Sequence, residues 1–395
     1  MRKIKVLRII TRLNIGGPAR HVTILSGGLE SERYDSLLAY GSLEAGEGDM
    51  SHLAKGYDGI KSIFVPELVR KIDPLMDIKA FIKLFSLIKK EKPHIVHTHT
   101  AKAGALGRLA AILAGVPIRV HTFHGHVFYG YFGRVKGWIF LWIERFLAFF
   151  TDRIIAISEK QKEEISTAYG IGDKARYTVI RLGFELEQFL HAEEKKGKFR
   201  AECKFKEDNI LIGIVGRLVA VKNHKMLLRV ADRLRKDLSS ELFNRIRFIT
   251  VGDGPEKNPL IDYARSLGIE SSVVFNGWAK NMDEVYADLD IVALTSLNEG
   301  TPLSLIEAAA SSKPVITTNV GGVSDAVSGT DFLVEKDDDA AFALKLSELV
   351  KSRSKREEVG ARGREYVTGK FSKENLIRET EKLYEKLLHE KGIPS

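Results

Sequence analysis

Asn298-Glu299-Gly300-Thr301-Pro302-Leu303-Ser304-Leu305-Ile306-Glu307 separates an apolar run, Ile291-Val292-Ala293-Leu294-Thr295, from the alanines Ala308-Ala309-Ala310. The run reads as a buried strand and the alanines as helix, so the residues between them are a strand-to-helix loop and the helix start. Thr301 suits the N-cap, and Pro302 suits the first helical position, where a missing N–H costs nothing. Glu299 then stands at the mouth of the helix, and Glu307 lies about 9 Å further along its axis at 1.5 Å per residue. Free amides at a helix start attract anions. Two carboxylates flanking such a start suit a long ligand with hydroxyls at both ends and negative charge between them. A sugar nucleotide has that shape.

Working outward, the same strand–loop–helix unit recurs along the whole chain. Before residue 190 the strands are Lys5 to Ile10, His94 to Thr98, Ile118 to Phe123 and Arg153 to Ser158. Helices are expected from about Pro18, over Lys79 to Lys92 and over Ala101 to Ala114. The pattern restarts at Ile210 to Val215, with later strands at Arg247–Val251, Val273–Phe275, Ile291–Thr295 and Pro314–Thr317. Alternation of this kind predicts an α/β chain with parallel sheets covered on both faces. The expected division is an N-terminal Rossmann-like domain over 1–190, a second over 191–370, and a helix over 371–395 crossing back to the first. Ligands of such sheets bind at the carboxyl ends of strands, so two facing sheets would enclose a cleft.

The loop after the strand at 210–215 is Gly216-Arg217-Leu218-Val219-Ala220-Val221-Lys222-Asn223. Arg217 offers a planar fork and Lys222 a point charge, a pairing suited to a diphosphate, and Asn223 is placed to cap the next helix. The loop after the first strand holds Gly16-Gly17-Pro18, where backbone can approach a ligand closely. Its spacing is not that of a dinucleotide fingerprint. Six of the eleven histidines fall between residues 94 and 126. His124 and His126 follow a strand end, the place for an active-site loop, while His97, His99 and His121 read as structural or supporting. With no carboxylate or cysteine beside them, a complete metal-ligand set is not evident, and no metal is expected.

Bulk properties narrow the classes. The 395 residues carry one cysteine, Cys203, which excludes an intramolecular disulfide and fits a reducing compartment. The charged, alternating N-terminus reads as a strand rather than a signal peptide, and no apolar run is long enough to span a membrane, so a cytoplasmic protein is expected. Residues 1–180 hold 27 Lys+Arg against 17 Asp+Glu, and the remainder 34 against 35, which sums to the net +9. The basic half is therefore the first, and an anionic partner is expected there. The basic-edged helix Lys79–Lys90 reads first as a surface helix packed on its own sheet, and most of the aromatic run Trp138–Phe150 as buried; peripheral contact with an anionic membrane is the second reading of both. No aromatic residues interleave with the basic ones as a nucleic-acid surface would require.

Taken together, Gly16-Gly17, His124-Gly125, Arg217 with Lys222, Gly252-Asp253-Gly254-Pro255 and the Glu299/Glu307 pair resemble the family 4 retaining glycosyltransferases, which have the two-domain GT-B fold. His121-Thr122-Phe123-His124-Gly125-His126 is similar to members that build bacterial surface polysaccharides. The resemblance implies that Glu307 holds the ribose and that Glu299 lies by the donor sugar, along with backbone N–H groups of the loop Gly300, Thr301, Pro302 and Leu303, in which Pro302 offers none. It also implies that Arg217 and Lys222 neutralise the diphosphate, that Gly16 and Gly17 close over it, and that His124 approaches the reacting centre. Trp278 is the candidate for base contact. The implied reaction is metal-independent, cofactor-free transfer of a hexosyl or N-acetylhexosaminyl group from a nucleotide-sugar, UDP favoured, to a glycan or lipid-linked acceptor. A sugar-nucleotide epimerase of the same fold, or a non-catalytic binding protein for sugar nucleotides or nucleic acid, are the alternatives.

Overall fold

A computed structural model describes residues 3–14, 17–29, 32–44, 47–52, 60–124 and 134–394, with side chains in the last stretch from 137 onward. The chain forms two compact units: Met1–Phe184 together with Lys373–Ser395, and Glu185–Ser372.

In the first unit seven parallel strands lie in the order β3-β2-β1-β4-β5-β6-β7. They are β1 (Ile4–Arg12), β2 (Tyr34–Gly41), β3 (Lys61–Phe64), β4 (Ile95–His99), β5 (Ile118–Phe123), β6 (Arg153–Ala156) and β7 (Tyr177–Val179). Helices α1 (Gly17–Gly28), α2 (Pro74–Glu91), α3 (Ala101–Ala114) and α4 (Arg134–Phe149) belong to the same unit. The central strands are apolar throughout because both faces are covered; Val6, Leu7, Ile9 and Ile10 are all fully buried. β2 and β3 escape sequence reading for opposite reasons. β2 mixes Asp35 and Ser36 into its run, and β3 is four residues long at a sheet edge with mostly exposed side chains.

The second unit has six parallel strands in the order β10-β9-β8-β11-β12-β13. These are β8 (Ile210–Val215), β9 (Ile246–Val251), β10 (Val273–Gly277), β11 (Ile291–Leu294), β12 (Val315–Thr318) and β13 (Leu333–Val334). Around them lie α5 (His224–Asp237), α6 (Lys257–Ser266), α7 (Met282–Asp288), α8 (Leu303–Ala310), α9 (Asp339–Lys351) and α10 (Arg353–Phe371). The order reverses between β8 and β11, and a crevice opens at the carboxyl ends of the strands where it does. The loops carrying Arg217 and Glu299 leave those two strands. In the first unit the equivalent reversal is between β1 and β4; α1 begins at Gly17, and His99 is the last residue of β4.

The helix expected over 371–395 is present over Lys373–Glu390 and groups with the first unit. α10 ends at Phe371, Ser372 interrupts, and α11 (Lys373–Glu390) follows within the first unit. Leu376, Leu383, Tyr384, Leu387 and Leu388 of α11 pack with Ile4, Val6, Ile95 and Ile118. Each buried leucine contributes about 2 kcal/mol of transfer free energy. α10 lacks a regular apolar stripe, which is why its helix is not evident from periodicity; its glycine face sits instead against the α8 end, where Ser312 lies.

Candidate functional site

In the second unit, the loops after β8, β11 and β12 are tied together. Lys222 Nζ pairs with Glu299 Oε1 at 2.5 Å, and Ser296 Oγ donates to the same oxygen at 2.6 Å. Ser296 is fully buried and its own carbonyl accepts from Thr318 Oγ1 at 2.6 Å, so the loop carrying Glu299 is anchored from beneath. The Leu297 amide donates to the Val221 carbonyl at 2.8 Å, joining the lysine and glutamate loops through backbone. Arg217 is exposed and makes no ion pair among the described residues, so its guanidinium is available to a ligand. Arg217 and Lys222 were read as converging on one anion; here Lys222 is held by Glu299 while Arg217 is not.

Two glycines fix these loops by close approach. Gly321 has φ +54°, and a Cβ there would stand 1.8 Å from the Glu299 carbonyl oxygen. The next amide, Gly322, donates to that oxygen at 3.0 Å. Gly252 has φ +144°, and a Cβ would stand 2.0 Å from the Gly216 carbonyl oxygen. No other residue type combines that conformation with that clearance. Gly321-Gly322 follows a strand just as Gly16-Gly17 does, and this shared placement is the signal that would have revealed it.

The expected cap at Thr301 is not present. α8 starts at Leu303, with Pro302 in the cap position at φ −74° and ψ 97° and no side-chain cap bond. The extended ψ of Pro302 delays the helix by one residue, and Glu307 lies about 6 Å along the axis from Leu303. The first-turn amides of Leu303 and Ser304 have no preceding helical carbonyl and face outward from the helix start. Asn223 stands before α5 in a left-handed conformation, φ 48°, and its side chain reaches Asp337 at 3.4 Å rather than capping the helix. Within α8, Glu307 Oε2 accepts from the Tyr286 hydroxyl at 3.2 Å, and that hydroxyl also meets the Ser304 carbonyl at 3.1 Å. Burial first, then the Glu307 charge, raises the Tyr286 phenol, keeping it a donor that orients the carboxylate. Neither Ser296 nor Tyr286 was anticipated. Trp278 follows β10 and is 65% exposed, open to a flat partner.

In the first unit, imidazoles line the carboxyl ends of β4 and β5. His97 Nδ1 meets the Tyr384 hydroxyl of α11 at 2.6 Å, and His97 Nε2 meets Thr122 Oγ1 at 2.7 Å. His99 Nδ1 meets His124 Nε2 at 3.0 Å. His21 from α1 packs edge-on against His124, ring centres 4.8 Å apart. His121 points to the other face, where its Nδ1 meets Thr98 Oγ1 at 2.8 Å. Burial, with neighbouring rings and Arg8 adding to it, holds His21, His97 and His99 well below the ordinary imidazole range. Burial alone lowers His124 to about 3. All are therefore neutral near pH 7, with lone pairs available. One ring nitrogen from each of His21, His99 and His124 lies within 4.8 Å of the others, a three-nitrogen grouping that the sequence did not reveal because His21 lies far from the rest. Gly17 begins α1; Gly16, Gly125 and His126 lie outside the described residues.

The two membrane candidates differ in character. α2 buries Ala80, Leu84 and Ile88 and exposes Leu75, Ile78 and Ile82 beside the exposed Lys79, Lys89 and Lys90. α4 exposes Trp138, Trp142, Phe146 and Phe149, spaced along one helix face, with Arg145 over the Trp142 ring. Burial of most of this aromatic run, favoured from sequence, is not what the fold does. Among the described residues no helix is long and apolar enough to cross a membrane.

Comparison with known proteins adds an independent line. Residues 15–188 match the family model "Glycosyltransferase Family 4", and residues 195–366 match "Glycosyl transferases group 1". The chain is 34% identical over 288 residues to an Escherichia coli UDP-Gal:alpha-D-GlcNAc-diphosphoundecaprenol alpha-1,3-galactosyltransferase, covering 72% of this chain and 73% of that one. It is 32% identical over 345 residues to the capsular polysaccharide biosynthesis glycosyltransferase CapM of Staphylococcus aureus, covering 85% and 88%. A crystal structure of Anabaena Alr3699/HepE in complex with UDP superposes with a TM-score of 0.80 at 18% identity, covering 97% of this chain and all of that one. That match establishes the GT-B fold. The relatives favour a transferase over an epimerase.

Proposed function

Since the chain belongs to the glycosyltransferases, with a family 4 domain followed by a group 1 domain, we propose that it moves a hexosyl or N-acetylhexosaminyl group from UDP to a polyprenyl-diphosphate-linked sugar, with retention at the anomeric carbon. The observation that carries this reading is the Lys222–Glu299–Ser296 constellation where β8 and β11 diverge. A diphosphate arriving there competes for Lys222, and Glu299 is then freed to accept from sugar hydroxyls. Glu307, oriented by Tyr286, takes the ribose hydroxyls, and Trp278 offers a face to the base.

The bond broken is the anomeric carbon to β-phosphate oxygen; the bond formed joins that carbon to an acceptor hydroxyl oxygen. The acceptor proton passes to the departing phosphate oxygen on the same face, so no carboxylate need attack. Stabilising the negative charge that grows on the diphosphate is the protein's main task. Lys222, Arg217 and the first-turn amides of α8 perform it without a metal. His124, neutral, lies at the strand end where the resemblance locates the donor sugar. The exposed aromatic face of α4 and the lysines of α2 bring the basic first unit to an anionic bilayer, where a lipid-linked acceptor resides; tryptophan and phenylalanine favour that interface and the lysines its negative surface.

The test is transfer from UDP-hexoses and UDP-N-acetylhexosamines to a polyprenyl-diphosphate-linked N-acetylglucosamine in vesicles, with product mass read by spectrometry. Expected is addition of one sugar, unaffected by EDTA, faster on vesicles containing phosphatidylglycerol than on neutral ones. Equal rates on both vesicles would remove the membrane part of the reading. Donor cleavage without any acceptor product, or loss of transfer in EDTA, would overturn the reaction as proposed.

A further inference from the structure

His21, His99 and His124 each keep a buried ring nitrogen with no hydrogen-bond partner: Nδ1, Nε2 and Nδ1 respectively. The nitrogens that converge are not these: His99 Nδ1 and His124 Nε2 meet at 3.0 Å, near the ~3.3 Å spacing of two imidazole nitrogens on one tetrahedral zinc, so an ion there replaces the proton they share. Because one nitrogen from each lies within 4.8 Å of the other two, a point exists no more than about 2.8 Å (4.8/√3) from all three. Zinc–imidazole bonds are about 2.0–2.1 Å, so an inward movement of less than about 1 Å per ring closes the site. The rings are carried by three separate segments: α1, the end of β4, and the residue after β5. Such rings can tilt without breaking a strand.

We propose that these three imidazoles form a binding site for a soft divalent transition ion such as Zn2+, and that its occupancy switches transfer off. The donor set selects the ion. Neutral imidazole suits zinc, cobalt, nickel and copper, whereas magnesium and manganese prefer oxygen ligands. No carboxylate joins the group. Arg8, fully buried with Nη2 3.5 Å from the Tyr384 hydroxyl and Nη1 3.3 Å from Ser36 Oγ, has no ion pair among the described residues and opposes any cation nearby. An ion held only by charge is therefore rejected, and one that forms directional bonds to nitrogen is retained. Three protein ligands leave a fourth position for water or a hydroxyl. Inhibition follows because His124, to which the resemblance gives a part at the reacting centre, then spends its lone pair on the ion. The inhibition rests on the transferase reading; the binding does not.

The experiment titrates Co2+ into the full chain and follows its visible absorption, then repeats with Zn2+ as competitor and measures transfer. Expected are intense visible bands of low-symmetry cobalt at one equivalent, their loss on adding Zn2+, and inhibition by Zn2+ but not by Mg2+ or Mn2+ at equal concentration. His21→Gln and His99→Gln should lose the bands, and the exposed His191→Gln should keep them. His21→Cys covers failure of the glutamine variants to fold: a thiolate ligand keeps the ion and adds a sulfur-to-cobalt charge-transfer band. A weak octahedral spectrum in the parent chain, bands that persist in both glutamine variants, or a cysteine variant with no new band would each overturn the site. If cobalt binds as described yet Zn2+ leaves transfer intact, the switch is wrong and the claim that occupancy controls transfer falls.

Discussion

Replacing Lys222 by alanine lowers kcat by about 10²- to 10³-fold, a loss of about 3–4 kcal/mol in transition-state stabilisation. Two effects act in the same direction. The ammonium that would follow the diphosphate charge is gone, and Glu299, whose side chain is only 10% exposed, loses the cation that balances it. A carboxylate facing an incoming diphosphate then repels it. Ser296 Oγ still donates to Glu299 at 2.6 Å and holds the charge in place rather than letting it swing away. The double variant Lys222→Ala/Glu299→Gln should therefore bind donor better than Lys222→Ala alone, although its turnover stays low. Steady-state kinetics with the true donor and acceptor check this. Near-normal turnover in Lys222→Ala would mean that charge at the diphosphate is managed elsewhere.

The largest stability effect belongs to Arg108→Ala, which should cost about 3–5 kcal/mol. Arg108 of α3 is fully buried, donates from Nη2 to Glu144 Oε2 at 2.6 Å, and from Nε to the Gly104 carbonyl at 2.8 Å. Truncation strands the Glu144 carboxylate of α4 inside the unit, with its side chain 6% exposed and no second cation paired to it among the described residues. For a unit of about 200 residues the midpoint should fall by roughly 10 °C. Because a buried ion pair is worth little against apolar packing, Arg108→Met with Glu144→Leu should recover most of the loss. Circular dichroism melts test both. A midpoint unchanged in Arg108→Ala would show that water reaches the pair. The pair also fixes α4, so the single variant should weaken vesicle binding through the aromatic face.

What the sequence disclosed and what it withheld follow from the range of the interactions involved. Strands buried on both faces write themselves as apolar runs, so β4, β5, β8 and β11 were legible with errors of a residue or so. Glu299, Glu307, Arg217 and Lys222 stood out because each follows such a run. The ties among them did not, since Lys222 and Glu299 are 77 positions apart and Tyr286 and Glu307 are 21 apart. Pairing at those separations is created by the fold and has no local signature. His21 is a lone histidine in an otherwise ordinary helix, and only the return of β4 and β5 beside α1 gives it company. The α8 start was misjudged because Thr-Pro reads as cap and first position, whereas the extended ψ of Pro302 places the turn one step later.

The central structural claim is that the Glu185–Ser372 unit holds the nucleotide, with Glu307 as the ribose anchor. Calorimetric titration of UDP into the full chain and into Glu307→Gln tests it most directly. A carboxylate accepts from both ribose hydroxyls, and losing a charged hydrogen bond of about 1.5–3 kcal/mol should raise Kd about ten- to a hundredfold. Glu270→Gln, on the exposed surface of the same unit, should bind UDP as the parent chain does. Equal affinity of the parent chain and Glu307→Gln for UDP would contradict the assignment of the ribose to Glu307.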